Sequence, residues 1–207
     1  MTTPSELQKP PSKEAARWTH INQLLGEAER HNGGPRDWRL WKRQGVEELL
    51  DLVHRAPRLD VLAVDMSADL HVAYHIDMPI PRWPSDGQLV VGRGATFHLV
   101  YRDEWRTMAP QGWEPVGIVT PVDIFHPNAK PSLRGALCLG RLSAGIAPKE
   151  LVLLGYLAGS LQTVQLAEDD PEGVLNAAAC EFFRCHPQHL PLTWTGLCED
   201  WEPEGED

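Results

Sequence analysis

Residues 61–76, VLAVDMSADLHVAYHI, decide how this chain is expected to fold. Two short β-rich runs, Val61–Val64 and His71–Ile76, stand on either side of the turn-like Ser67-Ala68-Asp69. This arrangement predicts two adjacent antiparallel strands. We expect them to begin a meander.

Two more β-rich runs follow, at 95–101 and 116–119. The first of them alternates apolar and polar residues, as a strand with one buried face does. Between the second and third runs, residues 79–92 are rich in Pro, Gly, Ser and Asp, and this composition predicts a long loop. The four runs together predict one four-stranded antiparallel meander.

Helical periodicity flanks the strands on both sides. Apolar residues recur at helical spacing from Lys13 to about His31 and from about Asp37 to His54. The spacing returns from Lys149 to Val164, after Pro148 at a helix start, and a short helix is predicted for 176–185. Strands grouped apart from helices predict an α+β fold, with helices packed on one antiparallel sheet.

Composition and charge exclude several classes of partner. The chain has 207 residues, a net charge of −10 and no basic block, so nucleic acid is not an expected partner. No apolar run approaches the roughly 20 residues that span a bilayer, and the N-terminus has no apolar signal-peptide centre. We therefore expect no membrane partner and a cytoplasmic location. Four cysteines without a C-x-x-C pair are expected to be reduced thiols.

An irregular stretch after the fourth strand carries the candidate chemistry. It contains Ile124-Phe125-His126-Pro127-Asn128 and then Gly135-Ala136-Leu137-Cys138-Leu139. Pro148 opens the next helix, and Asp169-Asp170-Pro171 follows that helix. In this order the motifs resemble the ubiquitin-conjugating (E2) family, over roughly residues 44–185. The resemblance implies a UBC-like fold, with the helix before residue 36 as an addition.

The resemblance also implies the reaction and its residues. Cys138 would carry an activated protein C-terminus as a thioester and pass it to an amine of a target protein. A thiolate suits this reaction because it is both a good nucleophile and a good leaving group. Asn128 would donate to the oxyanion or fix the loop that shapes the site, and Asp170 would orient the amine and help to remove its proton. His126 and Pro127 would support the site structurally.

The partners expected from the resemblance are proteins. They are an E1-like activating enzyme, a ubiquitin-like modifier or a nucleotidyltransferase C-terminus, and a target protein. No metal or organic cofactor is required, since the activating partner consumes the ATP.

The chain departs from the common pattern of the family in several places. Ten residues separate Asn128 from Cys138, about two more than usual, and Ile146 and Gly140 replace a usual tryptophan and a usual acid. These departures resemble bacterial E2-like proteins of conjugation and anti-phage operons. We divide the chain into a flexible lead with an accessory helix (1–36), a conjugating domain (37–190) and an acidic, Trp-containing tail (191–207).

Two other interpretations remain open from the residues. In the first, the chain is an inert E2-like or RWD-type module that only binds proteins, because a lone cysteine between leucines is often a small buried hydrophobe. In the second, it is a zinc hydrolase built on Cys180, Cys185, His186 and His189. The spacing argues against the second, because residues 180 and 185 would point about 140° apart on a helix.

Overall fold

The computed structural model describes residues 13–110, 114–130, 135–167 and 174–199. Within these ranges the chain forms four α-helices and one six-stranded antiparallel sheet, which confirms the α+β class. The helices are α1 (Lys13–Arg30), α2 (Arg36–Arg55), α3 (Pro148–Gly159) and α4 (Ala177–Cys185). The strands are β1 (Leu59–Asp65), β2 (Leu70–Ser85), β3 (Gln88–Tyr101), β4 (Val116–Thr120), β5 (Ala129–Lys130) and β6 (Ala136–Leu137).

The sheet order is β1-β2-β3-β4-β6-β5, so the first four strands form the expected meander. The prediction of only four strands is too low, because β5 and β6 extend the sheet beyond β4. Each of these two strands has two residues, which is too short to show an alternating pattern in a sequence. The added pair lies between Asn128 and Cys138 in the chain.

The predicted loop at residues 79–92 is wrong, since this stretch forms the far half of the long β2–β3 hairpin. Pro79 pairs with Arg93 and Pro81 pairs with Val91. The pairing of β2 with β1 ends at Ile76, so beyond this residue β2 has an edge that β1 does not cover. Proline is tolerated on such an edge because its missing N–H costs no ladder hydrogen bond.

The core lies between the sheet and the helices α2 and α3. Alternate residues of β2 and β3 are fully buried, as are the apolar residues on one face of α2. Removing such side chains from water contributes about 25 cal/mol for each Å² of apolar surface. The central members of the core are Leu49, Val53, Val72, Tyr74, Ile76, Phe97, Leu99, Leu151 and Val152.

Both outer parts of the chain contact this core. Helix α1 buries Ile21 in it and stacks Trp18 on His54 of α2, with 3.4 Å between ring centroids. Near the other end, Leu197 is buried in the same core, so residues 191–199 pack as part of the body. Residues 1–12 and 200–207, which complete the predicted lead and acidic tail, lie outside the described residues. No helix among the described residues combines the length and apolar character needed to cross a membrane.

A buried lysine joins the first helices to the β1–β2 turn. Lys42 of α2 is 0% exposed, and its ammonium donates hydrogen bonds to the carbonyls of Gly33 (3.0 Å), Ala68 (2.9 Å) and Met66. Burial lowers the pKa of Lys42, since removal from water disfavours the charged form. The three carbonyls compensate by holding the ammonium in place.

Candidate functional site

The segment that leads into the site is fastened to the edge of β2. Phe125 donates its backbone N–H to the Pro81 carbonyl at 2.9 Å, and Trp83 donates to the Asp123 carbonyl at 3.1 Å. The guanidinium of Arg82 also binds the Asp123 carboxylate through both oxygens. These contacts use the part of β2 that β1 leaves uncovered, and they set where His126 begins its turn.

His126 is fully buried, and both nitrogens of its ring are engaged. Nε2 donates to the Ala158 carbonyl of α3 at 2.8 Å, and Nδ1 accepts the backbone N–H of Asn128 at 3.0 Å. Burial lowers the pKa of His126 to about 4, because no opposite charge compensates the imidazolium there. A neutral ring that is bonded at both nitrogens links α3 to the turn and is not placed to act as a base.

Asn128 is 3% exposed and joins the turn to a distant part of the chain. Its side-chain Nδ2 donates to the Gln165 carbonyl at 2.8 Å, and its Oδ1 accepts the Gln165 backbone N–H at 2.9 Å. These two bonds hold the main chain at Gln165 against the turn, which is the geometry that a loop-fixing role would use.

Cys138 lies directly beside this turn. Its backbone N–H donates to the Asn128 carbonyl at 2.8 Å, and Leu137 pairs with Ala129 in the β5–β6 ladder. The side chain of Cys138 is partly exposed. The structure therefore brings His126, Pro127, Asn128 and Cys138 together, and Cys138 is partly exposed.

A glycine allows β6 to approach β4 closely. Gly135 has φ +67°, a conformation that side-chain-bearing residues rarely adopt. A Cβ at this position would lie 2.2 Å from the carbonyl oxygen of Ile118. The Gly-x-x-Cys spacing thus has a structural cause, because the glycine is needed three residues before the cysteine.

A further carboxylate at this site, that of Glu114, was not predicted from the sequence. Burial raises the pKa of Glu114 above its usual range, while the Leu139 backbone N–H and the Cys138 thiol act in the opposite direction as hydrogen-bond donors to its carboxylate. The local sequence gives no signal for this role. The signal is the register of the sheet, in which Gly117 of β4 pairs with Ala136 of β6.

Asp170 lies outside the described residues, but the residues on both sides of it contact the site. Gln165 binds the Asn128 side chain, as described above. The backbone N–H groups of Leu175 and Asn176 donate to the Pro127 carbonyl at 3.0 and 2.9 Å. The described residues Gln165, Leu175 and Asn176 therefore all bind the turn at Pro127 and Asn128.

The C-terminal cysteines and histidines do not form a shared centre. Cys180 is buried with its Sγ 3.9 Å from the Pro127 carbonyl oxygen, and burial raises the pKa of its thiol. Cys185 is exposed, and His186 stacks on Phe182. In the part of the chain that the structure describes, no group of three or more His, Cys, Asp or Glu side chains is placed to hold a metal ion.

Fold and site together define an α+β protein with a partly exposed cysteine beside a buried His-Pro-Asn turn. No protein-family model matches the chain, and no curated protein or solved structure matches it either. The interpretation of function accordingly depends on the residues of the site.

Proposed function

We propose that the chain is an E2-like conjugating enzyme with a fold of the ubiquitin-conjugating type. The observation that carries the proposal is the hydrogen bond from the Cys138 N–H to the Asn128 carbonyl, which joins the candidate nucleophile to the His-Pro-Asn turn. The order of elements adds support, because α2, the β1–β4 meander, this turn, Cys138 and the proline-started α3 follow one another as in that family.

In the proposed reaction, Cys138 receives an activated protein C-terminus from the thioester of an E1-like activating enzyme. The Cys138 sulfur forms a bond to the acyl carbon, and the thiolate of the donor leaves. An amine of the target then attacks the new thioester, the amide forms, and Cys138 is released. The carried protein is a ubiquitin-like modifier or the C-terminus of a nucleotidyltransferase.

Each residue of the turn has a part in this proposal. His126, neutral and buried, holds the turn against α3 through the Ala158 carbonyl. Asn128 holds the main chain at Gln165, and Asp170, further along the sequence, is the acid proposed to orient the incoming amine. We place the reaction in the cytoplasm of a bacterium, in defence against phage, without a metal or organic cofactor.

A thioester assay tests the proposal. The full chain is mixed with the E1-like enzyme and modifier encoded beside its gene, and with ATP, and is then run on non-reducing gels. We expect a thiol-sensitive adduct, which becomes a thiol-resistant ester in Cys138→Ser. The variant Cys185→Ser is the matched control because it changes an exposed thiol away from the turn. An adduct that survives in Cys138→Ala would contradict the assignment of the nucleophile.

One observation favours the second candidate function, an inert protein-binding module. Both ends of the Asn128 amide bind the Gln165 main chain, so this amide serves structure in the free protein. An inert module would give no thiol-sensitive adduct with the activating enzyme, while it would still bind that enzyme or the modifier in a pull-down. The same reaction mixture therefore separates the two functions.

A further inference from the structure

Glu114 is held next to Cys138 by the architecture of the sheet. Gly117 pairs with Ala136, and the Ile118 N–H donates to the Gly135 carbonyl at 2.9 Å, so the β4 and β6 segments run antiparallel side by side. Glu114 stands two residues before β4 and Leu139 two residues after β6, so the pairing of these strands brings the two segments near each other. There the Leu139 N–H and the Cys138 thiol act as hydrogen-bond donors to the Glu114 carboxylate and oppose the effect of burial on its pKa.

The approach to β4 is also fixed from its other side. The carbonyl of Pro115, the next residue, accepts the Val100 backbone N–H of β3 at 2.8 Å. Glu114 therefore projects from backbone that is tied to β3 and to the segment carrying Cys138. The backbone that carries the Glu114 carboxylate is thus tied to β3 through Pro115.

Burying the charge of a carboxylate at this place costs free energy, which a role for that charge would explain. A glutamine would accept the same Leu139 N–H without the cost of burying a charge. The burial that raises the pKa of Glu114 also makes its carboxylate a stronger proton acceptor. A proton acceptor in contact with the sulfur lies within reach of any nucleophile that attacks a thioester on that sulfur.

We propose that Glu114 is a catalytic residue of the transfer step, which takes the proton from the attacking amine and passes it to the sulfur of Cys138. This inference rests on the proposed function, because it assumes an acyl group carried on Cys138. It adds a second acid to the site besides Asp170, on the opposite side of the cysteine in the chain.

The atoms of the step balance. The amine nitrogen forms a bond to the acyl carbon, and the nitrogen proton moves to the Glu114 carboxylate. The bond between the acyl carbon and Sγ then breaks, and Glu114 returns the proton to the leaving sulfur. The products are an amide, a free Cys138 thiol and an ionised Glu114. The contact between thiol and carboxylate in the structure corresponds to this final state.

The first experiment tests the contact and needs no partner. The full chain is treated with iodoacetamide at pH 7, and alkylation of the Cys138 peptide is followed by mass spectrometry. Glu114→Gln removes a negative charge beside the sulfur and so favours the thiolate, and we expect alkylation to become about three- to tenfold faster. Glu27→Gln, the same change on an exposed face of α1, should match the wild type. Equal rates for Glu114→Gln and the wild type would overturn the proposal.

The second experiment tests the transfer. A small glycyl thioester of mercaptoethanesulfonate loads Cys138 by thiol exchange, and the loss of the acyl group to free lysine is measured over a range of pH. We expect Glu114→Gln to react with lysine about a hundredfold more slowly and to lose the acid limb of the pH profile. Glu114→Asp should recover part of the rate, since it keeps a carboxylate.

Hydroxylamine is the control nucleophile that separates a catalytic role of Glu114 from a merely structural one. It attacks as a neutral amine at pH 7, so its reaction should slow much less in Glu114→Gln than the reaction with lysine. An equal loss with both nucleophiles, or no loss with lysine, would overturn the role of Glu114. A failure of the proposed function gives a different result. The activating enzyme would then form no adduct with the chain, while these partner-free reactions would remain as expected.

Discussion

The side chain of Asn128 binds the main chain of Gln165 twice, 37 residues further along the chain. Its amide donates to the Gln165 carbonyl at 2.8 Å and accepts the Gln165 N–H at 2.9 Å. Only an amide side chain offers a donor and an acceptor side by side without a charge. The Asn128 side chain therefore binds Gln165 as the backbone of a paired strand would, with one donor and one acceptor. It connects the turn beside Cys138 to the chain after α3.

Replacing Asn128 should lower the stability of the fold, because its side chain binds the main chain of Gln165. Asn128→Ala leaves the Gln165 N–H and carbonyl without these partners in a nearly buried place, and we expect a loss of about 2–3 kcal/mol in the free energy of unfolding. Asn128→Asp keeps the acceptor but turns a carboxylate toward the Gln165 carbonyl, so it should also destabilise. Urea unfolding followed by circular dichroism measures both. A change below about 0.5 kcal/mol for Asn128→Ala would show that the two bonds contribute little.

Two glycines near Cys138 allow a matched comparison. Gly135 and Gly140 both have positive φ, +67° and +75°. An alanine Cβ meets the Ile118 carbonyl at 2.2 Å in the first case and open space in the second. We expect Gly140→Ala to cost about 1–2 kcal/mol, the strain of a left-handed alanine. Gly135→Ala should cost at least about 3 kcal/mol, because β6 must also move away from β4.

Thermal unfolding of the two variants, together with iodoacetamide labelling of Cys138, checks this comparison. Movement of β6 should change the labelling rate in Gly135→Ala and leave it near the wild-type rate in Gly140→Ala. Equal melting temperatures for the two variants would mean that the contact with Ile118 is relaxed at no cost.

His126 should make the stability of the protein fall in mild acid. Its pKa is about 4 in the folded chain and about 6.5 in an unfolded one, so only the unfolded chain takes up the proton between these values. The contribution of the neutral His126 ring to the free energy of unfolding is complete above about pH 6.5 and is lost as the pH falls toward 4. Linkage gives a loss of about 2.5 kcal/mol between pH 7 and pH 4.5.

The measurement is urea unfolding at these two pH values. In His126→Gln this part of the pH dependence should disappear, while His20→Gln, at an exposed position of α1, should behave as the wild type. If His126→Gln does not fold, the titration of the His126 ring by NMR gives the answer directly. A midpoint near 6.5 would contradict the prediction.

Lys42 should be among the most sensitive positions of α2. Lys42→Met leaves three carbonyls without the ammonium that binds them, those of Gly33, Met66 and Ala68. The loss of hydrogen bonds from a charged donor outweighs the gain from no longer burying a charge, and we expect a cost of about 2–3 kcal/mol. Arg43→Met, at the neighbouring exposed position, should change stability by less than about 1 kcal/mol. Similar melting temperatures for the two variants would contradict this role of Lys42.

The parts of the fold that follow a regular period could be predicted from the sequence. Alternation and helical spacing placed the strands of the meander and all four helices, although α3 ends at Gly159 and not near Val164. Residues 79–92 were misassigned because their prolines indicate a loop. Whether a strand tolerates proline depends on which of its edges is covered, and that is decided by the pairing of β1, far away in the chain.

The site was predictable only as far as its motifs are contiguous. His126, Pro127, Asn128 and Cys138 were predicted because their motifs occur in an order that resembles the ubiquitin-conjugating family, and the structure places these four residues side by side. Glu114 was missed because its contact depends on the register between β4 and β6, and one acid among 29 carries no local signal. Lys42 was missed for a related reason, since a lysine in a helix is ordinarily solvated and the carbonyls that bury it come from two separate turns.

The carbonyl of Pro127 accepts the N–H groups of both Leu175 and Asn176. Since these bonds join main-chain atoms, they do not depend on which side chains stand between Ala167 and Val174. Evolution can therefore exchange residues in that interval, or add and remove them, while the cysteine keeps its surroundings. Under the proposed function, variation in that interval would change which acceptor is modified while the residues around Cys138 stay the same.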